Sequence, residues 1–306
     1  MTSETLQRPP GTSDRDGTAR TPIVRNRRRP ASWWVSRVVL YGLLSIFSLP
    51  FVYPTVWMIF SAFKPTNEIS RIPPRLLPEN WTLRGVERIF TFQPFAQQYL
   101  NSLYIAIIVT IGTIIICSLA GYAFARIRFP GANKVFLLFV SGMFIPGEVT
   151  IIPIFRWVGD LGLMNTHWPL ILLPIFGGNI FGVFIFRQFY LSLPVELEEA
   201  GRLDGLGRIG IFARIAFPLG GPAVGAVAIM TFLGAFNNYF GPLIFLRSEH
   251  LFTVAIGLTR YSDAYGEPLQ NTQLGATALT VIPVLIVFLF AQRQFVEGLS
   301  RAGLKG

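Results

Sequence analysis

The run at 193–205 reads Leu-Pro-Val-Glu-Leu-Glu-Glu-Ala-Gly-Arg-Leu-Asp-Gly and is the most chemically pointed stretch of this chain. Pro194 suits the first position of a helix, where its missing N–H costs nothing. Glu196, Glu198 and Glu199 then fall in the first turns, where negative charge complements the helix dipole. Leu197, Ala200 and Leu203 recur at helical spacing, and Gly205 is placed to end the helix. A second short helix is expected over 208–215, ended by Pro218. This amphipathic pair is nearly balanced in charge, which suits a docked protein better than a lipid surface. A second set of polar residues lies inside apolar sequence: Glu148, and Asn237, Asn238 and Tyr239 between Phe236 and Phe240. Polar groups facing lipid are expensive, so these are expected to face a cavity or a neighbouring helix.

Other chemistries lack their residues. His167 and His250 stand in separate stretches, without the spacing of a metal site. Cys117, the single cysteine, sits in an apolar stretch and reads as a small core residue. No phosphate-binding Gly-x-x-x-x-Gly-Lys-Ser/Thr run occurs, so ATP is not expected to bind through that motif. Gly205-x-Gly207-x-x-Gly210 matches a dinucleotide fingerprint by letters alone, since it follows an acidic helix rather than a strand. No nucleophile–base set stands out, so the chain does not read as an enzyme.

The elements that must carry these residues are membrane spans. Only 14% of the 306 residues are charged and 52% are hydrophobic, whereas soluble domains carry about 25% charge. Apolar blocks at about 38–63, 103–125, 135–155, 168–186, 222–246 and 274–291 are long enough to cross a bilayer. The expected fold is therefore all-α, a polytopic membrane protein with six transmembrane helices. Residues 1–32 form a basic, polar tail expected to be disordered, and 33–306 form the span domain. Trp33 and Trp34 are placed to anchor the first span at the interface.

The net charge of +10 is gathered beside the apolar blocks, as in cytoplasmic loops, so no nucleic-acid partner is expected. The tail, the 126–134 loop with Arg126, Arg128 and Lys134, and the C-terminal end should be cytoplasmic, with both termini on that side. Pro146, Gly147 and Pro153 interrupt the third block, Pro174 and Gly177–Gly178 the fourth, and Gly241–Pro242 the fifth. Broken backbone survives in lipid only where protein or a water cavity satisfies it. An ion-coupled carrier would want several acids within the spans, and Glu148 is the one clear candidate.

Glu199-Ala200-Gly201, three residues, Gly205, nine residues, then Ile215-Ala216-Phe217-Pro218 resembles the cytoplasmic-loop motif of permeases in binding-protein-dependent ABC importers. That motif reads Glu-Ala-Ala, three residues, Gly, nine residues, Ile, any residue, Leu-Pro. Gly201 and Phe217 depart from it and stay small or apolar. The resemblance runs from about residue 38 to the end. Met143-Phe-Ile-Pro, Phe186-Arg-Gln-Phe and Phe236-Asn-Asn-Tyr-Phe-Gly-Pro-Leu also match, as does the terminal Gln292-Arg-Gln-Phe run. The last two are similar to the carbohydrate branch, in the smaller, six-span permease of the maltose-transporter class.

The resemblance implies a coupling loop at about 190–219, between spans four and five, that docks on a cytoplasmic ATPase dimer. Glu199 would be the main charged contact, Gly205 the turn that fits the groove, and Asp204 a residue that caps or orients the second helix. Ala200, Gly201, Ile215 and Pro218 complete that set. ATP and Mg would bind to the ATPase, leaving this chain without a cofactor. A second, different permease and an extracytoplasmic sugar-binding protein would complete a system in the bacterial inner membrane. Ser262, Asp263 and Tyr265 would reach the binding protein. Amides donate to and accept from hydroxyls, so Asn237, Asn238 and Tyr239, with Glu148, are the candidate sugar path.

Overall fold

The computed structural model describes residues 31–262, 266 and 268–303. The basic tail at 1–30 and the candidate contacts Asp263 and Tyr265 lie outside the described residues, as does the side chain of Glu148. Among the described residues every extended element is helical, and the one β feature is an isolated bridge between Ser262 and Pro268. In chain order the helices are α1 (Ala31–Ser61), α2 (Thr66–Ile69), α3 (Arg84–Thr91), α4 (Phe95–Arg126) and α5 (Ala132–Ser141). There follow α6 (Gly147–Asp160), α7 (Trp168–Phe176), α8 (Ile180–Ser192), α9 (Glu196–Leu203) and α10 (Arg208–Ile211). Last come α11 (Phe217–Leu219), α12 (Gly221–Phe236), α13 (Phe240–Phe245), α14 (Val254–Leu258) and α15 (Gln270–Gly303).

Contacts divide the chain into two units, Met1–Phe51 and Val52–Gly306. Residues 31–51 of the first unit are one continuous helical stretch.

Four stretches are helical, long and apolar enough to cross a membrane: Trp33–Ser61, Phe95–Arg126, Trp168–Ser192 and Gln270–Phe290. Two bent pairs bring the number to six if each pair is one crossing. Ala132–Phe144 meets Val149–Asp160 at 99°, and Arg208–Leu219 meets Gly221–Phe236 at 75°. The third block is thus bent where Pro146 removes a backbone donor. The fourth is interrupted between α7 and α8, where Gly177–Asn179 separates two helices. The fifth ends early: α12 stops at Phe236, and α13 begins only at Phe240.

α4 is the hub of the second unit, packed along α8, α12 and α7. Its apolar face joins three clusters, around Ile105 and Val109, around Cys117 and Tyr122, and around Phe95 and Ala106. Cys117 is buried in the second of them, as a core residue. Its polar side chains tie down what lies at either end. At the start, Asn101 donates to the carbonyls of His250 and Phe252, at 2.9 and 3.0 Å, and Ser102 accepts from the N–H of Val254 at 2.8 Å. His167 adds a strap there, bonding Tyr104 and, through Nε2 at 2.6 Å, the carbonyl of Leu251. Toward the other end, the hydroxyls of Ser118 and Tyr190 lie 2.7 Å apart, joining α4 to α8.

Candidate functional site

The loop between α8 and α12 is built as a clamped helix pair. α9 starts at Glu196, two residues after Pro194, so the proline precedes the helix rather than opening it. Glu196, Glu198 and Glu199 all lie in its first turn. Its end is a Schellman motif: the N–H of Leu206 bonds the carbonyl of Gly201 at 2.9 Å, and that of Gly205 bonds Arg202 at 3.0 Å. Gly205 has φ of 80°, in the region that a Cβ disfavours, which explains glycine there. Gly201 is not held to glycine in this way. A Cβ at that position would stand 2.7 Å from Cδ1 of Ile215, the far end of a flexible side chain, so the motif alanine would fit here with a small shift of Ile215.

The second helix does not stop at Pro218. α10 runs through a π-helical turn, Phe212–Ala216, into α11, and the sharp bend comes at Gly220. A proline cannot donate to the residue four before it and clashes with that carbonyl. The widened turn just ahead accommodates it, as π turns commonly do. Asp204 does not cap this helix, because its N-cap is Gly207 and carries no side-chain bond. Asp204 is instead the C-cap of α9.

One acid of the three is turned inward. Glu198 is buried, and its carboxylate lies 3.2 Å from Nε of Arg126 and 3.8 Å from Nη2 of Arg202. Arg126, the last residue of α4, also donates through Nη2 to the carbonyls of Tyr190 (2.6 Å) and Leu193 (2.5 Å) at the end of α8. The Nε–carboxylate approach is a charge contact without the alignment of a hydrogen bond. A single guanidinium therefore joins the hub span, the end of the fourth span and α9. Sequence reasoning counted Arg126 as a topology charge and Glu198 as one dipole acid of three. The signal available was spacing: Glu198 lies on the side of α9 that carries Gly201, three positions on.

The opposite side of the pair is free. Glu199, Ala200 and Asp204 are exposed, and the apolar Leu203 and Ile209 are 90% and 82% exposed. Ile215 is half-buried against Gly201, and Pro218 is exposed. The helix pair thus presents two leucine-type side chains beside a carboxylate, on a base that α4 holds.

The polar set of the fifth span lies at the break between α12 and α13. Asn237 is the C-cap of α12 and its side chain is exposed. The Oδ1 of Asn238 accepts from the N–H of Gly241 at 3.0 Å, so this amide holds the start of α13. Tyr239 is 40% exposed. These are positions in a turn, not adjacent faces of one helix. A second polar spot, at the break in the fourth span, was visible only as irregular sequence. Asn179 caps α8 through Gly182 N–H at 2.8 Å and approaches Thr231 of α12 at 3.4 Å. The two line a cavity of about 230 Å³ with Phe181 and Met230. Ser262, half-buried, bridges to Pro268 in the loop before α15.

Residues 117–301 match the family model described as binding-protein-dependent transport system inner membrane component. The chain is 37% identical over 258 residues to the arabinooligosaccharides transport system permease protein AraQ of Halalkalibacterium halodurans, covering 83% of this chain and 91% of that protein. It is 33% identical to the protein of the same name from Bacillus subtilis, covering 91% and 99%. It is 29% identical to the maltodextrin transport system permease protein MdxG of Bacillus subtilis, covering 89% and 97%. Its fold is similar to a chain from the crystal structure of a bacterial ABC transporter involved in the import of the acidic polysaccharide alginate, with a TM-score of 0.72 at 22% identity over 87% of this chain. With the helix pair between its fourth and fifth apolar segments and a match that spans both, this multi-pass chain belongs to the family of inner membrane components of binding-protein-dependent transport systems.

Proposed function

We propose that the chain is one of two permease subunits of an ATP-driven importer that moves a disaccharide or oligosaccharide into the cytoplasm by alternating access. The observation that carries it is the two-sided α9, with one side clamped to α4 through Glu198 and Arg126 and the other presenting Glu199 and Leu203, while Ile209 is exposed on α10. A helix held this way passes a push to the spans rather than absorbing it. The named relatives that transport arabinooligosaccharides and maltodextrin support a carbohydrate cargo.

In this reading a cytoplasmic ATPase dimer, which holds ATP and Mg, takes the exposed side of α9. Glu199 is the main charged contact, and Ala200 and Asp204 border it. Gly201, Gly205, Ile215 and Pro218 shape the pair. Both termini are cytoplasmic. A different permease chain forms the other half of the path, and an external binding protein delivers sugar, touching Ser262, Asp263 and Tyr265. Asn237, Tyr239, Asn238 and Glu148 line the route. Amides and a phenol bond hydroxyls without needing charge, as a neutral sugar requires.

The test is reconstitution of the chain with its partner permease, ATPase and binding protein in vesicles. Arabinooligosaccharides or maltodextrins should be taken up and should stimulate ATP hydrolysis. Hydrolysis that no tested sugar stimulates would overturn the carbohydrate reading, and failure to retain any ATPase would overturn the coupling reading.

A further inference from the structure

We propose that the crevice beside the α4–α5 turn binds the headgroup of an anionic phospholipid. The crevice holds about 460 Å³ and lies between the end of α4, the turn after it, the start of α5 and the end of α8. Arg128, Lys134 and Arg187 line it, and no carboxylate does. None of the three is in an ion pair among the described residues. Three uncompensated cations around one concavity favour an anion that enters it.

The cations differ in how they are held. The Arg187 guanidinium stacks 4.1 Å above the ring of Phe136. Its Nε donates to the carbonyl of Phe124 at 3.4 Å, and its Nη2 donates to Oδ1 of Asn133 at 3.3 Å. That fixes a fork and leaves other guanidinium N–H groups for a ligand oxygen. Arg128 and Lys134 are exposed at the rim and can close over a phosphate. Gly131, at φ of 79°, is the N-cap of the ten-residue α5 and brings no capping side chain, so the first N–H groups of that helix add to the positive end.

The apolar surroundings select a lipid over a soluble anion. Phe124, Phe129 and Leu191 wall the crevice. Along α5, just beyond Lys134, Val135, Leu137 and Leu138 are all exposed. A phosphodiester with acyl chains satisfies both the cations and this strip, whereas free phosphate satisfies only the cations. Basic pockets between membrane helices are suited to such headgroups.

The test uses the full-length chain in its assembled transporter, delipidated in mild detergent, with retained lipid read by native mass spectrometry. Phosphatidylglycerol should be retained and phosphatidylcholine should not. Each neutralised cation should weaken retention about fivefold, so Arg128→Gln with Lys134→Gln should lose about 25-fold. Arg187→Lys, which keeps the charge and loses the fork, should weaken it as well. Arg156→Gln, an exposed cation outside the crevice, should change nothing. Unchanged retention in the double variant, equal retention of phosphatidylcholine, or displacement of the lipid by excess inorganic phosphate would overturn the proposal. The assay contains no sugar, so a complex that retains lipid and fails to transport refutes the importer reading alone.

Discussion

Replacing Glu198 by glutamine removes one charge from a pair whose side chains are each only 10% exposed. Breaking a buried pair outright typically costs about 3–5 kcal/mol, because the surviving charge is left without compensation. Here Arg126 keeps two carbonyl acceptors, at 2.6 and 2.5 Å, so its charge is not abandoned. The glutamine also retains the volume of the side chain and one acceptor. The cost should therefore fall below that range, at about 2–3 kcal/mol, equivalent to roughly 30–150-fold in the population of the clamped loop. Hydrogen exchange over residues 193–206 in the purified permease should accelerate by that factor, and uptake should fall with it while the spans remain inserted. Glu199→Gln is the matched control. Its carboxylate is exposed and is in no ion pair among the described residues, so exchange should stay as it is while the complex loses its ATPase more readily. Exchange and uptake of the Glu198→Gln variant within twofold of the parent would refute the clamp, and equal behaviour of the two variants would refute the division of roles between neighbouring glutamates.

Reporters active only in the cytoplasm, fused after Lys134, His167 and Gly306, should give signal, no signal and signal; activity at His167 would reverse the orientation. Asn238→Ala should cost about 1 kcal/mol by uncapping the N–H of Gly241, and Asn238→Asp should restore it, as read from thermal stability of the complex. Asn237→Ala should leave assembly intact and slow uptake or change sugar selectivity, because an unpaired hydroxyl costs about 1–3 kcal/mol; unchanged transport would move the sugar path elsewhere. Lys64 is buried, donates from Nζ to the carbonyl of Arg75 at 2.6 Å, and burial holds its ammonium below the ordinary value of 10.5 against an opposing pull from Glu68. The unfolded chain therefore binds more protons than the folded one on approach to pH 10.5, so stability should rise with pH there. Lys64→Met should flatten that rise in melting scans, and an unchanged slope would show that the lysine is not its source.

What the sequence revealed and what it hid follow the range of the interactions involved. Apolar blocks long enough to span a bilayer, a first-turn acid cluster and a helix-stopping glycine are local, so the spans, the acidic first turn of α9 and Gly205 were all legible. The bends were harder to place. Pro146 sits where the third segment turns, but Pro153 lies inside α6 and Pro174 inside α7 without ending either. The fifth segment breaks at Asn237, ahead of the Gly241–Pro242 pair that marked the interruption in sequence, because Asn238 caps a new helix that contains both. Pro218 was misleading because a π turn five residues long absorbs it. Arg126 and Glu198 lie 72 positions apart, and nothing in either neighbourhood says that they meet. Gly201 was visible as a departure from a motif, but its contact with Ile215 exists only once the two loop helices have packed.

The placement of the clamp bears on how far a movement of α9 can reach. Arg126 is the last residue of the helix that packs along α8, α12 and α7, so a displacement of Glu198 acts first on the hub and not on a peripheral span. The same guanidinium holds the end of α8, which keeps the fourth span in step with the second. Ser118 and Tyr190 add a buried bond between those two helices farther along. α12 is joined to the loop differently, through the 75° bend at Gly220. A bend is compliant where a buried ion pair is not, so a push on α9 should carry α4 and α8 as one body while α12 changes its angle to the loop. Relative motion would then fall on the contacts of α12 with both α4 and α8, and at the second of these Asn179 and Thr231 meet at 3.4 Å beside a cavity. That bond is long for its type and easily given up, so it is the place where the two helices part at least cost.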